Sequence, residues 1–302
     1  TIHAAGDEEL KHEIFDQMYV DEASLITESE LIIPGIKIKK YWRLFGDNKQ
    51  LAPFKRTIIY ETQELYKSFF DKIIKILKKN NPSSTAYNFL NVQYRMHPSL
   101  INYPNKMFYG NRILSGDQTR RISEPKIRSL FNKERIKWIH TVGEERQHGF
   151  SKINSLESQV IISLCYLFNK QGINNKRITI LTPYESQAHH ISTRFPNQQD
   201  HPEVKVIDAF QGQENDYIFL SLTRTKTIGF LDNPKRCNVA LTRAKYGLIV
   251  VADALFLKDA SLLFKSLLQY CHNKQLVVRC KKSSNHRFFD FLNFENYNLK
   301  FQ

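Results

Sequence analysis

The motif DAFQGQE at residues 208–214 stands just before an apolar run, YIFLSL at 217–222, in a chain of 302 residues. A second polar motif, NVALTRAK, follows at 238–245, well after the run has ended. The run predicts a buried strand, and the motifs place Gln, Glu and Arg side chains before and beyond it. Polar groups at the strand ends of an α/β sheet are positioned to bind a ligand. The stretch 206–245 therefore predicts a ligand site at the rim of a buried sheet.

Charge and cysteine content narrow the class of protein. The chain carries 44 Lys and Arg against 30 Asp and Glu, for a net charge of +14. A soluble protein this basic commonly binds a polyanion, and nucleic acid is the first candidate; a basic surface without a specific partner is the alternative. The four cysteines form no CxxC pair, which argues against a zinc site or a disulfide framework and favours a reducing compartment.

No stretch of the sequence predicts a membrane span or a secretory signal. The apolar run from Leu248 to Leu257 is short and is interrupted by Asp253. Charged residues between positions 7 and 11 break the region where the apolar core of a signal peptide would lie. Because the chain begins with Thr rather than Met, we expect a fragment or a processed form.

Strand-like and helix-like segments alternate along most of the chain. Apolar runs predict strands, the first of them buried, at 14–20, 41–45, 178–181, 204–207 and 248–252. Helical periodicity predicts helices over 61–79, 154–172 and 254–270. The sequence TPYE at 182–185 predicts a helix start with Thr182 as the cap. This order predicts an α/β fold with parallel sheets, and NNPSS at 80–84 predicts a domain boundary.

Two polar clusters follow strands in the first part of the chain. Asp21 and Glu22 come after the strand at 14–20, and adjacent carboxylates at a strand end suit Mg²⁺ and the activation of a water; a solvated loop is the commoner explanation. Gln50 lies in GDNKQLAP at 46–53, where its amide group can both donate to and accept from a water or a phosphate oxygen. The alternative for Gln50 is an ordinary loop.

The motif QYRMHP at 93–98 joins an aromatic face to a forked cation. Tyr94 can stack on a base, and Arg95 can bind a phosphate through paired hydrogen bonds. His97 precedes a proline, and we predict a structural role for it rather than a catalytic one. His189 and His190 are adjacent on a predicted helix and point to different faces, so they do not form a metal-binding pair.

Six motifs in this order resemble those of the superfamily 1B helicases of the nonsense-mediated-decay and senataxin type: DE, GDNKQLAP, QYRMHP, TPYESQ, DAFQGQE and NVALTRAK. The resemblance covers roughly residues 1–270. It implies RecA-like domains of the P-loop NTPase type that clamp ATP and move along single-stranded RNA or DNA in the cytoplasm or nucleus. It also implies that 1–85 is the C-terminal part of a first domain, 86–270 a complete second domain, and 271–302 a basic, Phe-rich tail of unknown role.

By this resemblance, the first domain would supply the metal and water side of an ATP site. Asp21 would bind Mg²⁺, Glu22 would activate the attacking water, and Gln50 would sense the γ-phosphate. The phosphate-binding loop of the family, GxxxxGK[ST], occurs nowhere in these 302 residues. We therefore expect the first domain to be partial, with its N-terminal half missing in cis or in trans and its strand edges unpaired.

The second domain would supply the remaining contacts to the nucleotide. Tyr94 would stack on it, Gly212 and Glu214 would bind it, and Glu214 would contact the ribose. Arg95 and Arg243 would be arginine fingers that stabilise the charge on the transferred phosphate. Two alternatives remain: a nucleic-acid-binding remnant that hydrolyses no ATP, and an interaction module that docks a protein partner through the second domain.

Overall fold

The computed structural model describes residues 10, 12–53, 68–81, 83–120, 131, 133–195, 201–280 and 294–301. The chain divides into two compact units, Thr1–Leu90 and Asn91–Gln302. The start of the helix predicted over 61–79 and the middle of the predicted tail lie outside the described residues. Within the described ranges, no helix combines the length and the apolar character needed to cross a membrane.

The first unit contains a parallel pair of strands and two helices among its described residues. These elements are β1 (Phe15–Val20), α1 (Glu28–Gly35), β2 (Ile38–Leu44) and α2 (Phe69–Asn80). Val20 lies opposite Leu44 at the carboxyl ends of the two strands. Helix α1 starts at a capping box, in which the Thr27 hydroxyl accepts from the Glu30 amide and the Glu30 carboxylate accepts from the Thr27 amide.

The strands of the first unit lie at the surface, so the prediction of a buried strand at 14–20 was wrong. Tyr19 is 64% exposed and Trp42 is 39% exposed. The buried core of the unit is small and consists of Val20, Ala23 and Leu31 with partly buried neighbours. A sheet of two strands has no inner position, and β1 and β2 therefore have little apolar cover within the described part of the chain.

The second unit is built on a larger sheet with helices between its strands. Its described strands are β3 (Val92–Gln93), β4 (Leu114–Ser115), β5 (Ile136–His140), β6 (Arg146–His148), β7 (Ser151–Ile153), β8 (Ile178–Thr182), β9 (Glu203–Val206), β10 (Asn215–Ser221), β11 (Ala244–Ala252), β12 (Val277–Cys280) and β13 (Phe294–Asn296). Its described helices are α3 (Pro98–Tyr109), α4 (Asp117–Arg120), α5 (Ser155–Lys170), α6 (Glu185–Ser192), α7 (Pro234–Leu241), α8 (Ala254–Ala260) and α9 (Leu262–Asn273).

The described strands form one seven-stranded sheet and two small pairs in this unit. The order in the large sheet is β13-β12-β5-β11-β10-β8-β9. The neighbours from β12 to β9 pair in parallel, and β13 pairs antiparallel with β12. The predicted α/β fold with a parallel sheet is confirmed.

Aromatic side chains fill both faces of the large sheet. Phe168 of α5 packs edge-on against Tyr217 and Phe219 of β10, with ring centroids 5.2 Å and 4.9 Å apart. On the opposite face, Trp138 of β5 packs edge-on against Phe264 of α9, with ring centroids 6.4 Å apart. Because helices cover both faces, polar side chains that serve a ligand are left to the two ends of the strands.

Helix α6 begins later than the sequence predicted. Thr182, the predicted cap, is the last residue of β8, where it pairs with Val206. Its hydroxyl shares a hydrogen bond of 3.3 Å with the hydroxyl of Thr223. The N-cap is Tyr184, whose side chain makes no capping hydrogen bond. The prediction was wrong because the register of the sheet holds Thr182 in the strand.

Beyond the end of α9 at Asn273, the described part of the C-terminal tail adds two strands to the large sheet. Strand β12 pairs with β5, and β13 pairs with β12. The buried Leu299 packs beyond β13, and the Lys258 Nζ donates to the Lys300 carbonyl at 3.0 Å. The tail therefore extends the second unit, a role that its composition did not predict.

Hydrogen exchange is expected to distinguish the two units. We expect the amides of β1 and β2 to exchange faster than those of β10 and β11 at neutral pH, because a two-stranded sheet with little apolar cover opens at a low free energy. Peptide-resolved mass spectrometry measures this, and β8 provides an internal control in the large sheet. Equal protection of β1 and β10 would contradict the prediction.

Candidate functional site

The loops that follow β1 and β2 are in direct contact. The Ala23 amide donates to the Phe45 carbonyl at 2.8 Å. Gly46 lies against the first loop, since a Cβ at this position would come within 3.0 Å of the Ser24 nitrogen. The structure therefore brings the Asp-Glu loop and the GDNKQLAP loop together at the carboxyl ends of the two strands.

Asp21 and Glu22 stand at the carboxyl end of β1, as predicted from the sequence. Asp21 is exposed, and its Oδ1 accepts from the Glu22 amide at 2.9 Å. Glu22 has φ of 48° and ψ of 38°, a left-handed conformation that is uncommon for residues other than Gly. Strained backbone of this kind concentrates at ligand-binding positions, which supports the hypothesis of a functional role for Glu22.

Gln50 is held by an acidic residue of its own loop. Its Nε2 donates to Asp47 Oδ2 at 3.0 Å, and its backbone amide donates to the Asp47 carbonyl at 3.0 Å. The Lys49 amide donates to Asp47 Oδ1 at 2.8 Å. Asp47 therefore shapes this loop, and a ligand that binds the Gln50 amide group competes with Asp47 for it.

Gln93 shapes the loop that carries Tyr94 and Arg95. Its Oε1 accepts from the amides of Arg95 and Met96 at 3.0 Å and 2.7 Å, and its Nε2 donates to Ser115 Oγ at 3.0 Å. Gln93 received no role from the sequence alone. The signal that points to it is its chemistry, because a side-chain amide can satisfy donors and acceptors of a turn at the same time.

His97 has a structural role in the same loop. Its backbone amide donates to the Lys245 carbonyl at 2.9 Å, and its ring Nδ1 accepts from the Ser99 amide at the start of α3. Burial, assisted by the charge of Arg135, lowers the pKa of His97, while Glu134 acts in the opposite direction. The ring is therefore a neutral helix cap, which agrees with the predicted structural role.

Arg95, Glu214 and Lys245 form a charge cluster in the second unit. The Arg95 Nε donates to Glu214 Oε2, and the Arg95 Nη1 donates to the Thr242 carbonyl at 3.1 Å. The Lys245 Nζ lies 2.8 Å from Glu214 Oε1. Burial acts to raise the pKa of Glu214, but the hydrogen bonds from Lys245 and Arg95 outweigh it and hold the pKa below its usual value.

This charge cluster lies at the amino ends of β10 and β11. Glu214 directly precedes β10, and Lys245 is the second residue of β11. Helix α7 carries the chain from the far end of β10 back to the start of β11, so the two motifs of the stretch 206–245 meet at one edge. The predicted rim of the sheet is thus its amino edge in this region.

Tyr94 is 61% exposed, and its ring lies across Gly116. A Cβ at position 116 would come within 2.4 Å of Tyr94 Cε1 and 2.5 Å of Tyr94 Cδ1. Any larger residue at 116 would displace the ring, so Gly116 positions the aromatic face. This role could not be predicted from the sequence, because Gly116 lies in a poorly periodic segment outside the motifs.

Arg243 is 1% exposed, although the resemblance implies an arginine finger at this position. Its Nε donates to the Val239 carbonyl at 3.1 Å, its Nη1 to the Gln213 carbonyl at 3.2 Å and its Nη2 to Thr242 Oγ1 at 3.0 Å. The neighbouring Gly212 has φ of 76°, a left-handed conformation that favours Gly. Arg243 therefore joins α7 to the turn around Gly212 in this structure.

A buried polar network occupies the opposite, carboxyl edge of the large sheet. Oε2 of the buried Glu157 accepts from Ser221 Oγ at 2.6 Å and from the Thr223 amide at 2.8 Å. Gln187, from TPYESQ, is also buried and donates to Ser221 Oγ at 3.0 Å. Burial raises the pKa of Glu157 to about 8, although its hydrogen bonds act to lower the pKa. Its carboxyl group is mostly protonated at neutral pH.

Comparison with known protein families identifies the chain. A family model described as an AAA domain matches residues 65–255, which is more than half of the sequence. The chain belongs to the AAA domain family. Curated relatives that include the regulators of nonsense transcripts confirm the resemblance to the superfamily 1B helicases of the nonsense-mediated-decay type. Membership in the AAA domain family and the parallel sheet confirm the RecA-like α/β class.

The curated relatives of this AAA domain chain are longer proteins. An uncharacterized ATP-dependent helicase of Methanocaldococcus jannaschii is 33% identical over 271 residues, which cover 86% of this chain and 39% of the relative. Regulator of nonsense transcripts 1 of Dictyostelium discoideum is 33% identical over 292 residues, which cover 92% of this chain and 21% of the relative. The chain thus spans less than half the length of either relative.

A solved helicase structure also matches the AAA domain chain, at a low level of similarity. The structure of the PRRSV helicase is 15% identical and covers 80% of this chain and 36% of the viral chain, with a TM-score of 0.39. That score is too low to bear on the fold, which the strand order and the family membership establish.

Arg243→Ala is expected to destabilise the AAA domain chain more than Arg95→Ala. Loss of the buried Arg243 guanidinium leaves two backbone carbonyls without its hydrogen bonds, which we expect to lower the free energy of unfolding by about 2 kcal/mol or more. Arg95→Ala removes a partly exposed ion pair and one hydrogen bond to the Thr242 carbonyl, for about 1 kcal/mol, and leaves Glu214 paired with Lys245. Urea denaturation followed by circular dichroism measures both effects, and equal midpoints for the two variants would contradict the prediction.

The stability of the second unit is expected to fall as the pH rises through the range set by Glu157. The ordinary pKa of 4.5 applies in the unfolded chain, whereas the folded pKa is about 8. At pH values between these two pKa values, the folded state binds more protons than the unfolded state. The contribution of Glu157 to the free energy of unfolding is therefore present at low pH and is lost as the pH approaches 8. Glu157→Gln is neutral throughout, and we expect its urea midpoint to depend less steeply on pH. Parallel pH profiles for the two proteins would rule out this titration.

Proposed function

We propose that the chain is the C-terminal part of an ATP-dependent helicase or translocase that moves along single-stranded RNA or DNA in the cytoplasm or nucleus. The observation that carries this proposal is the convergence of Arg95, Glu214 and Lys245 from three separate motifs, in a unit that belongs to the AAA domain family. Phosphoryl transfer requires fixed cations against the charge that develops on the γ-phosphate. The cluster supplies such cations.

In this proposal, the second unit provides the nucleotide-binding surface and the arginine fingers. Arg95 is partly exposed, and a phosphate would compete with Glu214 for its guanidinium. Glu214 would then bind the ribose, and the exposed ring of Tyr94 would stack on the nucleotide. Arg243 would have to leave its carbonyl acceptors before acting on a phosphate, so Arg95 is the more accessible finger in this conformation. Gly212, whose left-handed backbone conformation favours glycine, would form the turn beside the nucleotide.

The first unit would act on the metal and the attacking water. Asp21 places an exposed carboxylate at a strand end, and this fits Mg²⁺, which prefers oxygen ligands. Bound together with ATP, Mg²⁺ would neutralise charge on the phosphates. Glu22 would orient the attacking water and accept its proton, and Gln50 would bind a γ-phosphate oxygen with the amide group that donates to Asp47.

The proposal includes a further part of the first RecA-like domain, supplied in cis or in trans. The sequence contains no GxxxxGK[ST] loop to hold the phosphates. The exposed apolar residues Tyr19, Tyr41 and Trp42 of β1 and β2 suit burial beneath additional strands and helices. The absent loop also favours a second candidate, a nucleic-acid-binding remnant without hydrolysis. A module that docks a protein partner is the third.

Nucleic-acid-stimulated ATP hydrolysis tests the proposal. We expect no hydrolysis by the chain alone, and Mg²⁺-dependent hydrolysis when a family segment that carries the phosphate loop is supplied in cis or in trans. Glu22→Gln is expected to abolish this activity, and Arg95→Ala to lower it by roughly 10³-fold. Arg279→Ala, which removes an exposed cation paired with Glu295, is the matched control and is expected to leave activity unchanged.

Different outcomes separate the three candidates. Hydrolysis by the chain alone that is lost in Glu22→Gln would contradict the requirement for an additional phosphate loop. Absence of hydrolysis in the completed protein, together with salt-sensitive binding of single strands, would favour the inactive remnant. If neither hydrolysis nor salt-sensitive binding is observed, the protein-docking module is the remaining candidate.

A further inference from the structure

The small hairpin formed by β6 and β7 presents an apolar ring to solvent. Phe150, in the turn between the two strands, is fully exposed. Gly149 before it has φ of 57°, which two-residue hairpin turns commonly require at their first position. Turn geometry needs no aromatic residue at position 150, and an exposed ring contributes no burial energy to folding. The fold therefore gives no reason for Phe at this position.

The hairpin is anchored at its base and beside its turn. Glu145, just before β6, is buried; its Oε2 accepts from the Thr225 amide at 2.7 Å and lies 3.1 Å from Arg224 Nε. At the end of the turn, Ser151 Oγ accepts from the Ser186 amide at 3.2 Å. A ligand that contacts the tip therefore meets a preorganised element, and little ordering entropy opposes its binding.

Charged side chains of both signs surround the hairpin. Arg146 is exposed on β6, and Lys226 is exposed in the loop after β10. The Nζ of Lys152 on β7 lies 3.5 Å from Oε1 of the buried Glu145. Arg224 forms a second ion pair with Glu145. Glu144 and Glu185 are the exposed carboxylates adjacent in sequence to these anchoring segments. Counted together, these are four cations and three carboxylates, an excess of one positive charge. The exposed Arg146 lies on the same hairpin as the ring, and this pairing favours an anionic ligand with an aromatic face.

The location of the hairpin also favours a ligand. Glu145 binds the loop that follows β10, and Ser186 lies in the first turn of α6, which follows β8. Both anchors are at the carboxyl edge of the large sheet, where ligands of open α/β sheets commonly bind. The charge cluster around Glu214 is at the amino ends of β10 and β11, so the hairpin is separate from the candidate nucleotide site.

We propose that the hairpin 146–153 is a nucleic-acid contact, in which the Phe150 ring stacks on a base of a single strand and Arg146 binds its backbone phosphate. This inference rests on the proposed function. Aromatic rings beside cations bind single strands without reading their sequence. A nucleotide uses both features of the hairpin, whereas an acidic peptide uses the cations alone and an apolar protein surface uses the ring alone.

Equilibrium binding of a short fluorescein-labelled oligouridylate to the full chain tests the inference. We expect Phe150→Ala to weaken binding by about tenfold or more, and Phe150→Trp to retain the affinity because a ring remains available for stacking. Leu262→Ala is the matched control, since it removes an 85% exposed apolar side chain from the start of α9, and we expect no change.

The salt dependence separates the roles of the ring and the cation. Arg146→Ala is expected to reduce the slope of log affinity against log salt by about 0.7, because one phosphate contact to a single strand is lost. Phe150→Ala is expected to leave that slope unchanged while lowering the affinity at every salt concentration. A change of slope in Phe150→Ala would overturn the assignment of the ring to stacking.

The remaining outcomes distinguish this inference from the proposed function. If the wild-type chain binds the oligouridylate and Phe150→Ala binds it equally well, the hairpin contact is overturned and the proposed function stands. If the wild-type chain binds no oligouridylate or oligothymidylate even at low salt, the hairpin contact is overturned, and hydrolysis by the completed protein decides the proposed function separately. Loss of self-association in Phe150→Ala, measured by analytical ultracentrifugation with unchanged oligonucleotide affinity, would assign the ring to a contact between copies.

Discussion

The parallel pairing of β10 with β11 fixes the position of the polar motifs in the second unit. Asn215 lies opposite Ala244, so the residues just before them, Glu214 and Arg243, are brought to the same edge of the sheet. The register changes by one residue between Asn215 and Tyr217, so an irregularity at the amino end of β10 sets the offset of the two motifs. The contact between Glu214 and Lys245 therefore depends on this local main-chain pairing as well as on charge.

The two ends of the large sheet have different polar environments. At the amino ends of β10 and β11, Glu214 is ionised between two cations, and its partners are partly exposed. At the carboxyl edge, Glu157 is enclosed and mostly neutral, and it holds Ser221 and the Thr223 amide in a closed network. The same kind of side chain is an ionised, partly exposed ion-pair partner at one edge and a mostly neutral, enclosed group at the other, because burial and neighbouring charges decide its charge.

Much of the fold could be predicted from the sequence because strands that are buried on both faces read as uninterrupted apolar runs. The runs around Ile180, Phe219 and Val250 correspond to β8, β10 and β11. Predictions were less successful where a residue depends on distant partners. The helix predicted over 254–270 divides into α8 and α9 at Ser261, whose hydroxyl caps α9 and donates to Asp232. The burial of Arg243 and the support of Tyr94 by Gly116 also depend on tertiary contacts that periodicity cannot report.

The strands at the two edges of the large sheet have a consequence for the solubility of the isolated second unit. At one edge, strand β13 from the tail pairs with β12. At the other edge, β9 carries an ion pair in which the Lys205 Nζ lies 2.7 Å from Glu203 Oε1. Covered or charged edges discourage the addition of strands from neighbouring molecules. A protein shortened to the end of the helicase motifs would lose β12 and β13, and the backbone hydrogen-bonding groups of β5, a strand that carries Ile136, Trp138 and Ile139, would form an unpaired edge.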